Sequence, residues 1–197
     1  MSQVAVLFAR PDSIYKTLPD LDVFDEIRDA RTFTGTSAVV AHPPCRAWGR
    51  LRSFVKPAPH EKELARFAVR CVRANGGVLE HPAFSTLWAD QRLPVPGVID
   101  CFGGFTLPIS QSWFGHRARK DTYLYIVGIK PESVPEIPFS LGNGSHVIAQ
   151  GRTRKDGTRI KKGAPEWRPE VSKSEREHTP IKLAIYLANL ARLARVQ

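Results

Sequence analysis

The stretch Val39-Val40-Ala41-His42-Pro43-Pro44-Cys45-Arg46-Ala47-Trp48-Gly49 decides the reading of this chain. Ser37 to Ala41 is an apolar run of the kind that forms a buried strand. It ends at His42-Pro43-Pro44, because proline has no N–H to give to a sheet. The two prolines stiffen the exit and present Cys45 at the carboxyl edge, where open α/β sheets hold their ligands. Cys45 reads either as a nucleophile or as a small residue buried after a rigid turn. Arg46, Arg50 and Arg52 flank it, and cations lying close would lower the thiol pKa and favour the thiolate.

The neighbouring segments supply the rest of the sheet. Val4 to Ala9 is an apolar run closed by Pro11-Asp12 and reads as a first strand, with Asp22 to Asp25 a short second one. Leu64, Phe67, Ala68, Cys71 and Val72 follow helical spacing, with Arg66, Arg70 and Arg73 on the opposite face. Asn75-Gly76 is the stop signal of that helix. Gly77-Val78-Leu79 then leads into Glu80-His81-Pro82, and Tyr123 to Ile129 forms a further strand. Strands alternating with a helical crossover predict an α/β sheet. The last third is different. Arg152, Arg154, Lys155, Arg159, Lys161 and Lys162 crowd around Asp156-Gly157, a hairpin-turn dipeptide. A closing helix is predicted with Thr179 as its cap and Pro180 in its first position. Leu183, Ala184, Leu187, Leu190, Ala191 and Ala194 form its apolar stripe.

Composition narrows the partners. At 197 residues with 42% hydrophobic and 24% charged, the chain fits one domain with a core. Lys+Arg 29 against Asp+Glu 19 leaves +10, which favours a polyanion, nucleic acid before anionic membrane. No apolar stretch approaches the ~20 residues of a membrane span, and Met1-Ser2-Gln3-Val4 lacks a signal-peptide pattern. Cys45, Cys71 and Cys101 lie too far apart for a disulfide framework or zinc knuckle, so a cytoplasmic location is expected. His42 and Cys45 have no second pair to complete a metal site. Trp48 and Trp88 read as core aromatics, and Gly103-Gly104 and Gly142-Asn143-Gly144 as turns.

Taken together, four segments resemble the DNA cytosine-5 methyltransferases. Pro43-Pro44-Cys45 after an apolar strand looks like that family's catalytic loop. Val78-Leu79-Glu80-His81-Pro82 resembles its strand ending in Glu-Asn-Val or Glu-Asn-Pro. The basic run Phe114 to Lys120 before Tyr123 to Gly128 resembles its basic segment, and Thr179-Pro180 with the closing helix its last motif. The resemblance implies a Rossmann-like methyltransferase fold over residues 1–141 and 179–197, with a small basic insertion, 142–178, as a DNA contact.

It also implies roles. Cys45 is the nucleophile that adds to position 6 of a pyrimidine. Glu80 is the carboxylic acid beside ring nitrogen 3, and Arg119 is a cation on the ring carbonyl or a phosphate. Pro44, Arg46, Arg117, Lys120, Arg152, Arg154, Lys155 and Arg159 are expected along the substrate and DNA. Phe8, Asp25 and Asp29 are expected around S-adenosylmethionine or another one-carbon donor. Departures are specific. His81 stands where the family has asparagine. The family's Gln-x-Arg-x-Arg falls on Arg119, Asp121 and Tyr123. The glycine-rich turn is replaced by Phe8-Ala9-Arg10-Pro11-Asp12. The expected activity is modification of a pyrimidine at position 5, cytosine in DNA first, by a compact enzyme of phage type in the bacterial cytoplasm. The alternatives are a binding protein that has lost catalysis, and the same chemistry with another donor or on a free nucleotide. The short chain leaves target choice to a protein partner or to low selectivity.

Overall fold

A computed structural model describes residues 3–50, 52–142, 144–149 and 153–195. The apolar runs become strands: β1 Val4–Leu7, β2 Leu21–Val23, β3 Val39–Ala41, β4 Gly77–Pro82, β5 Phe105–Ser110 and β6 Asp121–Val127. They make one sheet in the order β2-β1-β3-β4-β6-β5. The first four run parallel, while β6 is antiparallel to both β4 and β5. The helices are α1 Glu61–Asn75, α2 Leu87–Asp90, α3 Lys173–Glu177 and α4 Ile181–Arg192.

Strand side chains alternate between two faces, and each face has its own helix. Ala5, Leu7, Val39, Ala41, Leu79 and Val127 pack with Ala65, Ala68, Val69 and Val72 of α1. Val4, Val6, Val40, Val78, Leu124 and Ile126 pack with the α4 stripe. The chain is therefore an α/β protein whose six-stranded mixed sheet lies between α1 and α4. Leu183, Leu187 and Leu190 are fully buried, at roughly 1.5–3 kcal/mol each. Among the described residues no helix is long and apolar enough to cross a membrane.

Between α1 and β4 the chain turns through Gly76 and Gly77, whose φ angles are +72° and +114°. A Cβ on Gly77 would lie 2.0 Å from the Val39 carbonyl oxygen. Only glycine lets the two strands meet here.

Two expectations change. β5 is absent from the sequence reading because Pro108 interrupts its pattern. As the sheet's edge strand it tolerates a residue without an N–H. Thr179 is not the helix cap. Pro180 is the N-cap, with ψ 140°, and its carbonyl accepts the first helical bond from Ala184 N–H at 2.9 Å.

Among its described residues, the 142–178 segment contributes α3 and isolated bridges. Val147 and Val171 are buried at its base, where Val171 N–H donates to Val147 carbonyl at 3.0 Å. The turn at Asp156-Gly157 forms, with an isolated bridge between Thr153 and Arg159. Arg152 and Asn143 lie outside the described residues.

Candidate active site

The register of the parallel block places the site. Val39 pairs with Gly77, Val40 with Val78 and Ala41 with Leu79, so the next step along both strands sets His42 beside Glu80. Both fall on the α4 face by strict alternation. His42 Nδ1 and Glu80 Oε2 are 2.9 Å apart, and His42 Nε2 and the Tyr15 hydroxyl are also 2.9 Å apart. Gln111 Nε2 donates to Glu80 Oε1 at 3.0 Å and to Thr122 Oγ1 at 3.2 Å. A carboxylate only accepts, so a hydrogen lies on His42 Nδ1 and points at Glu80, leaving Nε2 to face the Tyr15 hydroxyl. Burial alone would raise the Glu80 pKa. The hydrogen bond from His42, with the electrostatic attraction of His42 and Lys120, outweighs it and holds the carboxyl at about 2. Burial and the Glu80 charge push the Tyr15 hydroxyl well above its usual range.

Cys45 follows on the loop and is exposed. It shares a cleft of about 680 Å³ with Tyr15, His42, Glu80, Lys120 and Arg176. That volume lies within the ~300–1,000 Å³ of small-molecule sites. Desolvation by the cleft walls and the Glu80 charge raise the thiol pKa, with Lys120 opposing. The expected lowering by the flanking arginines does not occur, because those described are engaged elsewhere. Arg46 Nε pairs with the buried Glu61 at 2.5 Å, Arg50 lies over the Phe84 ring and Arg52 reaches the Gly49 carbonyl.

No known family, curated protein or solved structure matches the chain.

A second cleft, of about 690 Å³, adjoins the first. Phe8, Ala9, Arg10, Glu26, Pro44 and Arg46 line both. Phe8, Asp25 and Asp29 are all placed in it. The two aspartates serve their own loop. Asp25 Oδ1 accepts from the N–H groups of Ile27 and Arg28 at 2.8 and 2.9 Å, and Oδ2 pairs with Lys16 at 2.5 Å. The hydrogen bond from Lys16, then those from the backbone, hold its pKa at about 2. Asp29 caps the helical turn Ala30–Thr32 and pairs with Arg31. Phe8, in the place of the family's phenylalanine, takes a left-handed φ of 63°; Arg10 and Asp12 stand where the resemblance calls for glycine, and Arg10 pairs with Asp12 and Glu177. These residues do not fit S-adenosylmethionine as the resemblance implies: side chains fill the turn, and both carboxylates are spent. Exposed Glu26, two residues beyond Phe24, is the acidic group on the shared wall.

The remaining sequence-derived residues divide. Lys120 enters the Cys45 cleft, its Nζ donating to the Arg176 carbonyl at 3.1 Å. Arg119, its neighbour, pairs with Asp121 at 2.8 Å and lines a different cleft. Arg117 is paired with Glu175 and Arg154 with Glu166. Lys155 and Arg159 are exposed on the hairpin. Sequence reading missed Tyr15 and Gln111, which enter through helical turns at Ile14–Thr17 and Gln111–Phe114. It also weighed His42 only as a metal ligand. The signal available for His42 was its place one residue past β3, level with Glu80.

His81, next along β4, turns to the α1 face against Trp88, their ring centroids 6.5 Å apart. It is fully buried and neither ring nitrogen has a partner. Burial holds its pKa down at about 4.

Proposed function

We propose that the chain modifies a pyrimidine of DNA at position 5, cytosine first, through a covalent Cys45 adduct at position 6. The observation that carries this reading is the cleft that joins Cys45 to the buried Glu80 carboxylate at the carboxyl ends of β3 and β4. The strand order also suits a Rossmann-like methyltransferase fold, with a parallel block closed by an antiparallel strand. Attack by the Cys45 thiolate on C6 moves the C5=C6 electron pair onto C5 and the ring, making C5 nucleophilic. After C5 accepts an electrophile it loses its hydrogen to a base, and elimination restores the double bond and frees the thiolate. Glu80, ionised and held by His42 and Gln111, is a hydrogen-bond acceptor. It suits the amino group of cytosine rather than the carbonyl oxygen of thymine. In this arrangement the mobile proton resides on His42 rather than on Glu80. Lys120 and Arg176 supply positive charge for a ring carbonyl or phosphate.

The test needs no donor. Oligonucleotides containing cytosine are incubated with the protein in D₂O, and exchange at C5 is read by nucleoside mass spectrometry. Exchange with the wild type and none with Cys45→Ser is expected. A duplex carrying 5-fluorocytosine then traps the adduct once a donor is supplied. A second reading, a nucleic-acid-binding protein without catalysis, is favoured by the raised thiol pKa and the spent carboxylates of the second cleft. Absence of exchange and of any adduct selects it.

A further inference from the structure

Beyond β4 the chain continues into Ala83-Phe84, which help to form a third cleft, of about 430 Å³. Trp113, Tyr123, Phe139, Leu141 and Arg119 complete its character. Phe84 and Phe139 are each 63% exposed, so the core does not account for them. The Trp113 and Phe139 ring centroids are 4.9 Å apart with planes inclined at 64°. Two guanidinium groups border these rings. Arg119 is half exposed and held by Asp121, and Arg50 lies 5.6 Å from the centre of Phe84. Ring faces left in water beside guanidinium groups are what an unpaired base and its phosphate occupy.

The geometry points to a stacking site for an unpaired nucleobase, separate from the cleft that holds Cys45. The occupant is nucleic acid because the bordering arginines, in a chain of net charge +10, complement a phosphate backbone. Position supports the same choice. Phe84 lies four residues beyond Glu80, at most ~14 Å along an extended chain. At about 3.4 Å per base step on one strand, that is a span of only a few bases. A strand offering its target pyrimidine to Cys45 thus brings a neighbouring base to Phe84 and Phe139. This use of the cleft rests on the function proposed above.

Fluorescence anisotropy of the full chain tests it, with labelled single-stranded oligo(dT) and a fully paired duplex, across a salt series. Phe84→Ala with Phe139→Ala is expected to weaken the single strand about tenfold, with the slope of log affinity against log salt unchanged. Arg119→Gln should flatten that slope by roughly 0.7. Circular dichroism checks that these surface variants keep the fold. Unchanged single-strand affinity in the double variant overturns the proposal, and so does an equal loss on the paired duplex. C5 exchange separates the two claims. Exchange with unchanged single-strand affinity removes the stacking site alone; selective loss of single-strand affinity without exchange removes the enzyme and keeps the site.

Discussion

The two adjoining clefts at the carboxyl edge share a wall but are wired in opposite ways. Around Cys45 the polar contacts join residues far apart in sequence: 38 positions for His42 and Glu80, 31 for Gln111 and Glu80, 27 for Tyr15 and His42. Around Asp25 and Asp29 the backbone contacts span two or three positions. Local contacts of the second kind are loop caps, sufficient to explain their carboxylates without a ligand. The first kind exists only when the sheet is assembled. Loop structure does not require it, and it is the stronger pointer to chemistry.

The sharpest way to break this contrast is by deletion. Glu80→Ala leaves the His42 Nδ1–H and the Gln111 amide without their acceptor in a buried setting and should cost about 3 kcal/mol. Asp29→Ala removes a cap and should cost about 1 kcal/mol. Urea unfolding measures both. Equal costs would show that the long-range network is no more than another cap.

Acid titration of stability sharpens it further. The Glu80 pKa is depressed on folding, so its contribution is complete above its ordinary value of 4.5 and is lost as pH falls toward about 2. His81 is a base whose folded pKa is depressed, from 6.5 to about 4. The unfolded chain therefore binds its proton first, and stability falls between pH 6.5 and 4, by roughly 2–3 kcal/mol at pH 4.5. His81→Phe should remove this upper step and leave the lower one. A urea midpoint flat from pH 7 to 5 in the wild type would contradict the buried neutral imidazole.

Outside both clefts, the hairpin cations offer a charge-only control. With Arg154 paired to Glu166, replacing Lys155, Arg159 and Lys161 by Ala should flatten the salt slope of DNA binding by roughly 2–3 if all three touch phosphate. C5 exchange at saturating DNA should be unaffected. An unchanged slope assigns DNA contact elsewhere. The smallest effect is expected in the second cleft. Calorimetry with S-adenosylmethionine should show weak or no binding, and affinity typical of an ordinary methyltransferase would mean that the Asp25 and Asp29 contacts yield to a ligand.

What the sequence made legible follows the same division between local and distant. Cys45 and Glu80 could be singled out because each sits in a short recognisable string, one in the loop after β3 and the other near the carboxyl end of β4. α1, its Asn75-Gly76 stop and the hairpin at Asp156-Gly157 were equally local. Tyr15 and Gln111 carry no local signal, since only the folded sheet brings their turns to Glu80. Arg119 and Lys120 could not be told apart as a basic run. Adjacent residues entering β6 face opposite ways, so one lines the aromatic cleft and the other the cleft that holds Cys45. The flanking arginines misled for a related reason: sequence proximity to Cys45 does not say where a long side chain finds its partner.

Gly77 gives the site a tolerance that its packing alone would not. Because the backbone of β4 rests on Val39 without an intervening side chain, the spacing between the strand that ends at the thiol loop and the strand that carries the carboxylate is set by main chain against main chain. Core side chains on either face can drift in size over evolutionary time, swelling or shrinking the layers above and below the sheet, while that lateral spacing stays put. Variation is thus steered away from the distance between the thiol loop and the Glu80 carboxylate, and a library randomised at Val40, Val78 or Leu187 should lose stability long before it loses the alignment of His42 with Glu80.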